Sequence, residues 1–228
     1  CDQDPHALEG VSEYVSKTTT DAAEATADAD VVVVAGKPDV VPYVLDDLDL
    51  DPSQTLVTIA AGVSTEFVAP RTDADVVRVM PNLAAETRNM AAAATGDVND
   101  AVRTLLDDVG EFVEVEEERM DVATAVNGSG PAFVFYLIQA MRDAGVDAGL
   151  DQEQAETLAA QTFKGAAETV LQSDQSIEDL IDAVCSPNGT TIEGMEVLWD
   201  SDADDAVAAA VAAAEERSWE LAEGVGDE

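Results

Sequence analysis

Apolar positions follow two different rhythms along this chain, and the change of rhythm divides it in two. Residues 30–36, 55–60, 76–79 and 111–115 are short runs rich in Val and Ile, the pattern of buried strands. Helical spacing fills some of the gaps, at 38–48 and 98–108. Strand alternating with helix predicts a mostly parallel sheet with helices laid against it. From residue 117 onward the strand signals stop. Ala-rich helical segments take over at 118–145, 151–172, 176–184, 190–199 and 203–223. Turn signals separate them at Ala144-Gly145, Ser173-Asp174 and Ser186 to Gly189. The expected organisation is an α/β part, residues 1–116, followed by an all-α part, residues 117–228.

The most informative run is CSPNGTTIEG, Cys185 to Gly194. Pro187 and Gly189 mark a turn. Thr190 and Glu193 stand at capping-box spacing, which predicts Thr190 as the helix cap. A helix opening there aims free backbone N–H groups and its positive dipole end at one spot, which suits a carboxylate or phosphate. The plain alternative is a capped helix that binds nothing. A second punctuation mark is Gly128 to Pro131, inside a helical stretch. Gly and Pro are tolerated in a first helical turn, so a helix start or kink is expected near Gly130, with Phe133, Phe135 and Tyr136 packing below it.

Charge narrows the function classes. The chain carries 49 acidic and 10 basic residues, a net charge of −39. Such a surface repels nucleic acid and anionic membranes. Yet 46% of the residues are hydrophobic and the acids are spread along the whole chain, which argues for a folded core. Abundant acid with only Lys17, Lys37 and Lys164 as lysines reads as adaptation to molar salt, where screening shortens repulsion. Lys37 stands out because it follows a buried strand, where α/β sheets bind ligands. Cys1 and Cys185 suggest no disulfide framework, so a reducing, cytoplasmic setting is expected. There is no apolar run of spanning length and no secretion signal. The one histidine, His6, leaves no histidine-built metal site.

Five motifs in order carry a resemblance: Ala35-Gly36-Lys37-Pro38, Ile59-Ala60-Ala61-Gly62-Val63, Arg78-Val79-Met80-Pro81-Asn82, Asn127-Gly128-Ser129-Gly130-Pro131-Ala132-Phe133, and Ser186-Pro187-Asn188-Gly189-Thr190-Thr191. Together they resemble the pyrroline-5-carboxylate reductases, with Asn188 where that family usually has Gly. The resemblance implies a Rossmann-type NAD(P)-binding domain followed by a helical dimerisation and substrate domain. It implies reduction of 1-pyrroline-5-carboxylate to L-proline by hydride from NADPH or NADH, and a homodimer or larger homo-oligomer. By the same resemblance, Ala35, Lys37, Pro38, Pro81 and Asn82 contact the cofactor. Ser186, Gly189, Thr190, Thr191 and Gly130 line the substrate site, and the Thr191 hydroxyl hydrogen-bonds the imine nitrogen as the catalytic contact. Arg78 either holds the Met80-Pro81-Asn82 segment or is structural.

A dinucleotide-binding sheet begins with a strand, a Gly-x-Gly-x-x-Gly turn and a helix, and that motif is absent here. Cys1 to Pro5 reads as the tail of a second strand, so the chain is expected to start roughly 30 residues late, lacking one strand–helix unit. Asp2 would then sit at the strand end that grips the ribose 2′-hydroxyl, favouring NADH because a carboxylate repels a 2′-phosphate. Two rival readings stand beside the reductase. One is a related imine or hydroxyacid reductase, which should lack the Ser-Pro-x-Gly-Thr-Thr loop. The other is a non-catalytic fragment that only folds and dimerises.

Overall fold

The computed structural model describes residues 1–225. In chain order the elements are α1 (Pro5–Val11), α2 (Ala22–Thr26), β1 (Val31–Val34), α3 (Val41–Asp46), β2 (Thr55–Thr58), α4 (Thr65–Val68), β3 (Asp75–Pro81), β4 (Met90–Gly96), α5 (Asp100–Asp107) and β5 (Gly110–Glu114). Helices alone follow: α6 (Met120–Ala123), a π-helical turn (Thr124–Gly128), α7 (Gly130–Asp147), α8 (Gln152–Gln172), α9 (Ile177–Val184), α10 (Thr190–Trp199) and α11 (Ala203–Val225). Two compact units result, Cys1–Ser129 with the chain from Ala212 onward, and Gly130–Val211.

The first unit is built on a five-stranded sheet in the order β1-β2-β3-β4-β5. All pairings are parallel except β3 with β4. Parallel strands are covered on both faces, which is why β2, Thr-Leu-Val-Thr, is buried throughout. One core joins Val34, Val41, Leu45, Leu56, Val63 and Val68. Another joins Val57, Val77, Val79, Ala92, Ala94 and Val102. A third, smaller cluster of Met80, Ala93 and Met120 lies under α6. The far end of α11 returns to this unit. The Ser218 hydroxyl donates to the Asp121 carboxylate at 2.7 Å, and a Cβ on Gly62 (φ +75°) would meet the Ala222 backbone at 3.1 Å. Gly62 is therefore fixed both by its left-handed conformation and by the approach of a helix.

Residues 1–4 form no strand, contrary to the expectation for the chain start. The Asp2 N–H donates to the Thr19 carbonyl at 3.3 Å, but an isolated pair of short strands has too little buried surface to persist as a ladder. Asp2 is exposed, and its carboxylate accepts from the Asp4 N–H.

The second unit rests on α7 packed against α8. Their link is a Schellman turn: Gly149 (φ +107°) donates to the Val146 carbonyl and Leu150 to that of Gly145. Asp151 then caps α8 in a reciprocal box with Gln154. The helices close on small residues, since a Cβ on Gly145 would meet that of Ala155 at 3.2 Å. The helix start near Gly130 is as the sequence predicts. Phe135 and Tyr136 are not packed below it: they are 56% and 71% exposed. Among the described residues of this unit, only Ala155 and Ala159 are fully buried apolar side chains, while Leu137, Met141, Leu158, Val197, Leu198 and Trp199 stay open. Two helices of this apolarity leave more surface than one layer covers.

That exposure makes an oligomer the expected state. Light scattering in molar KCl, where the −39 charge is screened, should give twice the chain mass or more. A monomer at micromolar concentration would mean these faces tolerate water.

Candidate active site

Three of the five motifs converge on one edge of the sheet. The register Val34↔Thr58↔Arg78 aligns β1, β2 and β3 in parallel. Their carboxyl ends therefore release Ala35 to Pro38, Ile59 to Val63, and Met80 to Asn82 on the same side. In open α/β sheets this is where ligands bind. Ala35 and Lys37 are exposed, and Pro38, Pro81 and Asn82 are half-buried. The Lys37 carbonyl accepts from the Val40 and Val41 N–H groups, turning the chain into α3, and among the described residues no carboxylate pairs with the Lys37 ammonium. Gly36 stands in open space, since an added Cβ would meet nothing within 4 Å. A free cation, small residues and three strand ends fit a dinucleotide. Asp2 lies outside the sheet and is not joined to this group.

Behind that edge lies a polar row. Thr58, Arg78 and Thr95 stand opposite one another across β2, β3 and β4, all buried. Arg78 is 3% exposed. Its Nη1 donates to Glu117 Oε1 at 2.5 Å, and Glu117 Oε2 accepts from the Thr65 hydroxyl at 2.7 Å and the Thr65 N–H at 3.3 Å. Arg78 thus ties β3 to the start of α4 and to the turn at Glu117, rather than holding Met80 to Asn82. That segment is held by Asn127, whose side-chain Nδ2 donates to the Met80 and Ala91 carbonyls. Neither Glu117 nor Asn127 is singled out by the sequence as a site residue, although Asn127 stands inside one of the five motifs.

The Ser186 loop belongs to the second unit. Gly189 donates its N–H to the Ser186 carbonyl at 2.9 Å, closing a turn with Pro187 second and Asn188 third. Asn188 takes φ +58°, the left-handed conformation that this turn requires at its third position. Asn meets it at less cost than most residues. A Cβ on Gly189 would turn the Ser186 hydroxyl away, since it would meet Oγ at 2.4 Å, and would press on the Ser186 carbonyl at 3.0 Å. The capping box expected at Thr190 is absent. The cap is Gly189, in extended conformation and with no side-chain bond. The left-handed Asn188 starts the helix one residue early, so Thr190 is the first helical residue and Glu193 cannot reach back. As a result the N–H groups of Thr190, Thr191 and Ile192 lack intrahelical acceptors, while that of Gly189 is already engaged. No hydrogen bond engages the Thr190 or Thr191 hydroxyl among the described residues. Thr190 and Ser186 are exposed and Thr191 is half-buried. Gly130 opens α7, half-buried and with room for a Cβ.

Known proteins carry the same arrangement. Residues 117–221 match the family model described as pyrroline-5-carboxylate reductase dimerisation. Residues 1–62 match one described as NADP oxidoreductase, coenzyme F420-dependent. The pyrroline-5-carboxylate reductase of Methanosarcina acetivorans is 39% identical over 215 residues, 90% of this chain and 80% of that relative. Among solved structures, a pyrroline-5-carboxylate reductase from Coxiella burnetii superposes with a TM-score of 0.88 at 30% identity, covering 96% of this chain and 86% of the other. The Plasmodium falciparum pyrroline carboxylate reductase, solved with NADP bound, gives 0.75 at 31% identity, covering 91% and 85%. With these strand ends, this Ser-Pro-Asn-Gly-Thr-Thr loop and these relatives, the chain belongs to the pyrroline-5-carboxylate reductase family.

Proposed function

We infer that this protein reduces 1-pyrroline-5-carboxylate to L-proline, the last step of proline biosynthesis, with NADPH or NADH as reductant. The observation that carries the reading is the start of α10: three backbone N–H groups without intrahelical acceptors beside two threonine hydroxyls that find no partner among the described residues. The substrate is a five-membered cyclic imine bearing a carboxylate. That carboxylate suits the N–H groups of Thr190, Thr191 and Ile192, at the positive end of a ten-residue helix. Ser186 adds a hydroxyl, and Gly189 contributes by shaping the turn.

The cofactor supplies the hydride. What this chain must do is place the imine carbon, orient the ring nitrogen and support its change from imine to amine. A threonine hydroxyl is far from titrating near neutral pH, so Thr191 acts by hydrogen-bonding the ring nitrogen and relaying a proton from water, not as a general acid of its own. Ala35, Lys37, Pro38, Pro81 and Asn82 are assigned to the cofactor on their shared strand-end position. Asp2 is not among them, because its expected role at the ribose rested on a strand end that residues 1–4 do not form. The functional division at residues 116 and 117 is supported by the match of the dimerisation model from residue 117. The reaction, the reducing setting of the two free cysteines and the apolar helical faces together fit a cytoplasmic homo-oligomer.

The test is a spectrophotometric assay of the gene product that contains this chain, in molar KCl. NADPH or NADH absorbance should fall only when 1-pyrroline-5-carboxylate is added. No turnover from protein that is folded and binds the nucleotide would overturn the assignment.

A further inference from the structure

We propose that Asn127 is a positioning residue for the cofactor, holding the Met80-Pro81-Asn82 strand end in its binding geometry. The inference rests on the cofactor reading above. The last pair of the β3–β4 ladder is Pro81 with Ala92. Beyond that pair the Ala91 backbone groups need other partners, and the Met80 carbonyl, paired within the ladder to Ala93, accepts a further bond. Two asparagine side chains provide them, each an amide of the same chemistry as a peptide group. Asn127 Nδ2 donates to the Met80 carbonyl at 2.7 Å and the Ala91 carbonyl at 3.1 Å. Asn82 Oδ1 accepts from the Ala91 N–H at 3.3 Å and the Ala84 N–H at 3.1 Å. Asn82 Nδ2 donates to the Asn127 backbone carbonyl at 3.2 Å, closing the circuit.

The orientation of the Asn127 amide is fixed. Turning it over would set its oxygen against two carbonyl oxygens. Its Oδ1 is buried with no hydrogen-bond partner, so the side chain is held by its two donors alone. Asn127 comes from the π-helical turn, where the Ser129 N–H reaches the Thr124 carbonyl at 3.2 Å, five residues back. Such single wide turns recur at functional sites. Here the turn brings a side-chain amide to the end of a strand 47 residues earlier in sequence.

The experiment separates positioning from general stability. Dissociation constants for NADPH and NADH are measured by nucleotide fluorescence in the substrate-free gene product, alongside KM for 1-pyrroline-5-carboxylate. Asn127→Leu should weaken nucleotide binding about tenfold or more. The KM for the imine acid should stay within about twofold. Should Asn127→Leu not fold, Asn127→Ser carries the test. It keeps one donor and should weaken nucleotide binding about threefold or more. Wild-type nucleotide affinity in the folded variant overturns the proposal, and so does a parallel loss of both constants. A parent protein that binds neither nucleotide overturns the cofactor reading and this inference with it.

Discussion

Arg78→Met is expected to destabilise the fold by about 3 kcal/mol. Removing one partner of a buried ion pair leaves the other charge uncompensated, and the usual cost is about 3–5 kcal/mol. The lower end applies because the Glu117 side chain is 25% exposed and keeps its two bonds from Thr65. The pair itself is not a large net source of stability. Arg78 Nε and Nη2 are buried without partners, and each unmade bond offsets part of what the Glu117 contact contributes. The double variant Arg78→Met, Glu117→Leu should therefore regain at least half of the loss. Equilibrium urea unfolding at fixed molar KCl measures both. If Arg78→Met alone unfolds within about 0.5 kcal/mol of the parent, ordinary for a surface change, then water reaches Glu117 and the pair is not the link between β3 and α4.

Much of this architecture is legible in the sequence, and what is not legible depends on contacts between distant residues. The Val- and Ile-rich runs located β1, β2, β3 and β5, most clearly β2, which is buried throughout. β4 shows the opposite case. Its sequence, MAAAATG, is rich in the best helix former and poor in β-branched residues. It is a strand because β3 and β5 pair with it on both edges. A Cβ on Gly96 would meet the Val76 carbonyl oxygen at 2.2 Å, and one on Gly110 the Met90 carbonyl oxygen at 2.1 Å. Those two glycines answer a close approach of backbone that only the assembled sheet reveals.

The candidate site divides in the same way. Lys37 could be picked out because a strand end is a local feature with a known use, and Pro81 and Asn82 because their segment resembles that of the family. The left-handed Asn188 was also foreseeable from residue type. Its consequence was not, since one positive φ moved the helix start back by a residue and turned the expected cap at Thr190 into a free hydroxyl. Glu117 and Asn127 carry no local signal. Each acts on a strand residue 39 or 47 positions earlier, a contact that no local pattern around it encodes. Phe135 and Tyr136 belong to a third class. Their helical spacing suggested a core, yet a single copy of the chain leaves them in water.

Thr191→Val is expected to cost the enzyme between tenfold and a hundredfold in kcat/KM, or about 1–3 kcal/mol of transition-state stabilisation. Valine keeps the β-branched shape and helix compatibility of threonine, so the N–H groups of the first turn stay where they are. What disappears is a half-buried hydroxyl that bonds to no group among the described residues and is therefore free for a ligand. The ring nitrogen would then lack its partner while it gains a proton. NADPH and NADH affinity should not change, because the substitution is confined to the substrate loop. Thr190→Val provides the contrast. A cap at this position would make the change cost about 1 kcal/mol. Since Gly189 is the cap and Thr190 is exposed, the cost should be below about 0.5 kcal/mol. Steady-state reduction of 1-pyrroline-5-carboxylate in molar KCl, with thermal melts of both variants, measures these differences. Full activity in Thr191→Val would remove the contact to the ring nitrogen from the mechanism and leave the loop as a binding site for the carboxylate alone. A clear loss of stability in Thr190→Val would restore the side-chain cap that the geometry of Asn188 and Gly189 rules out.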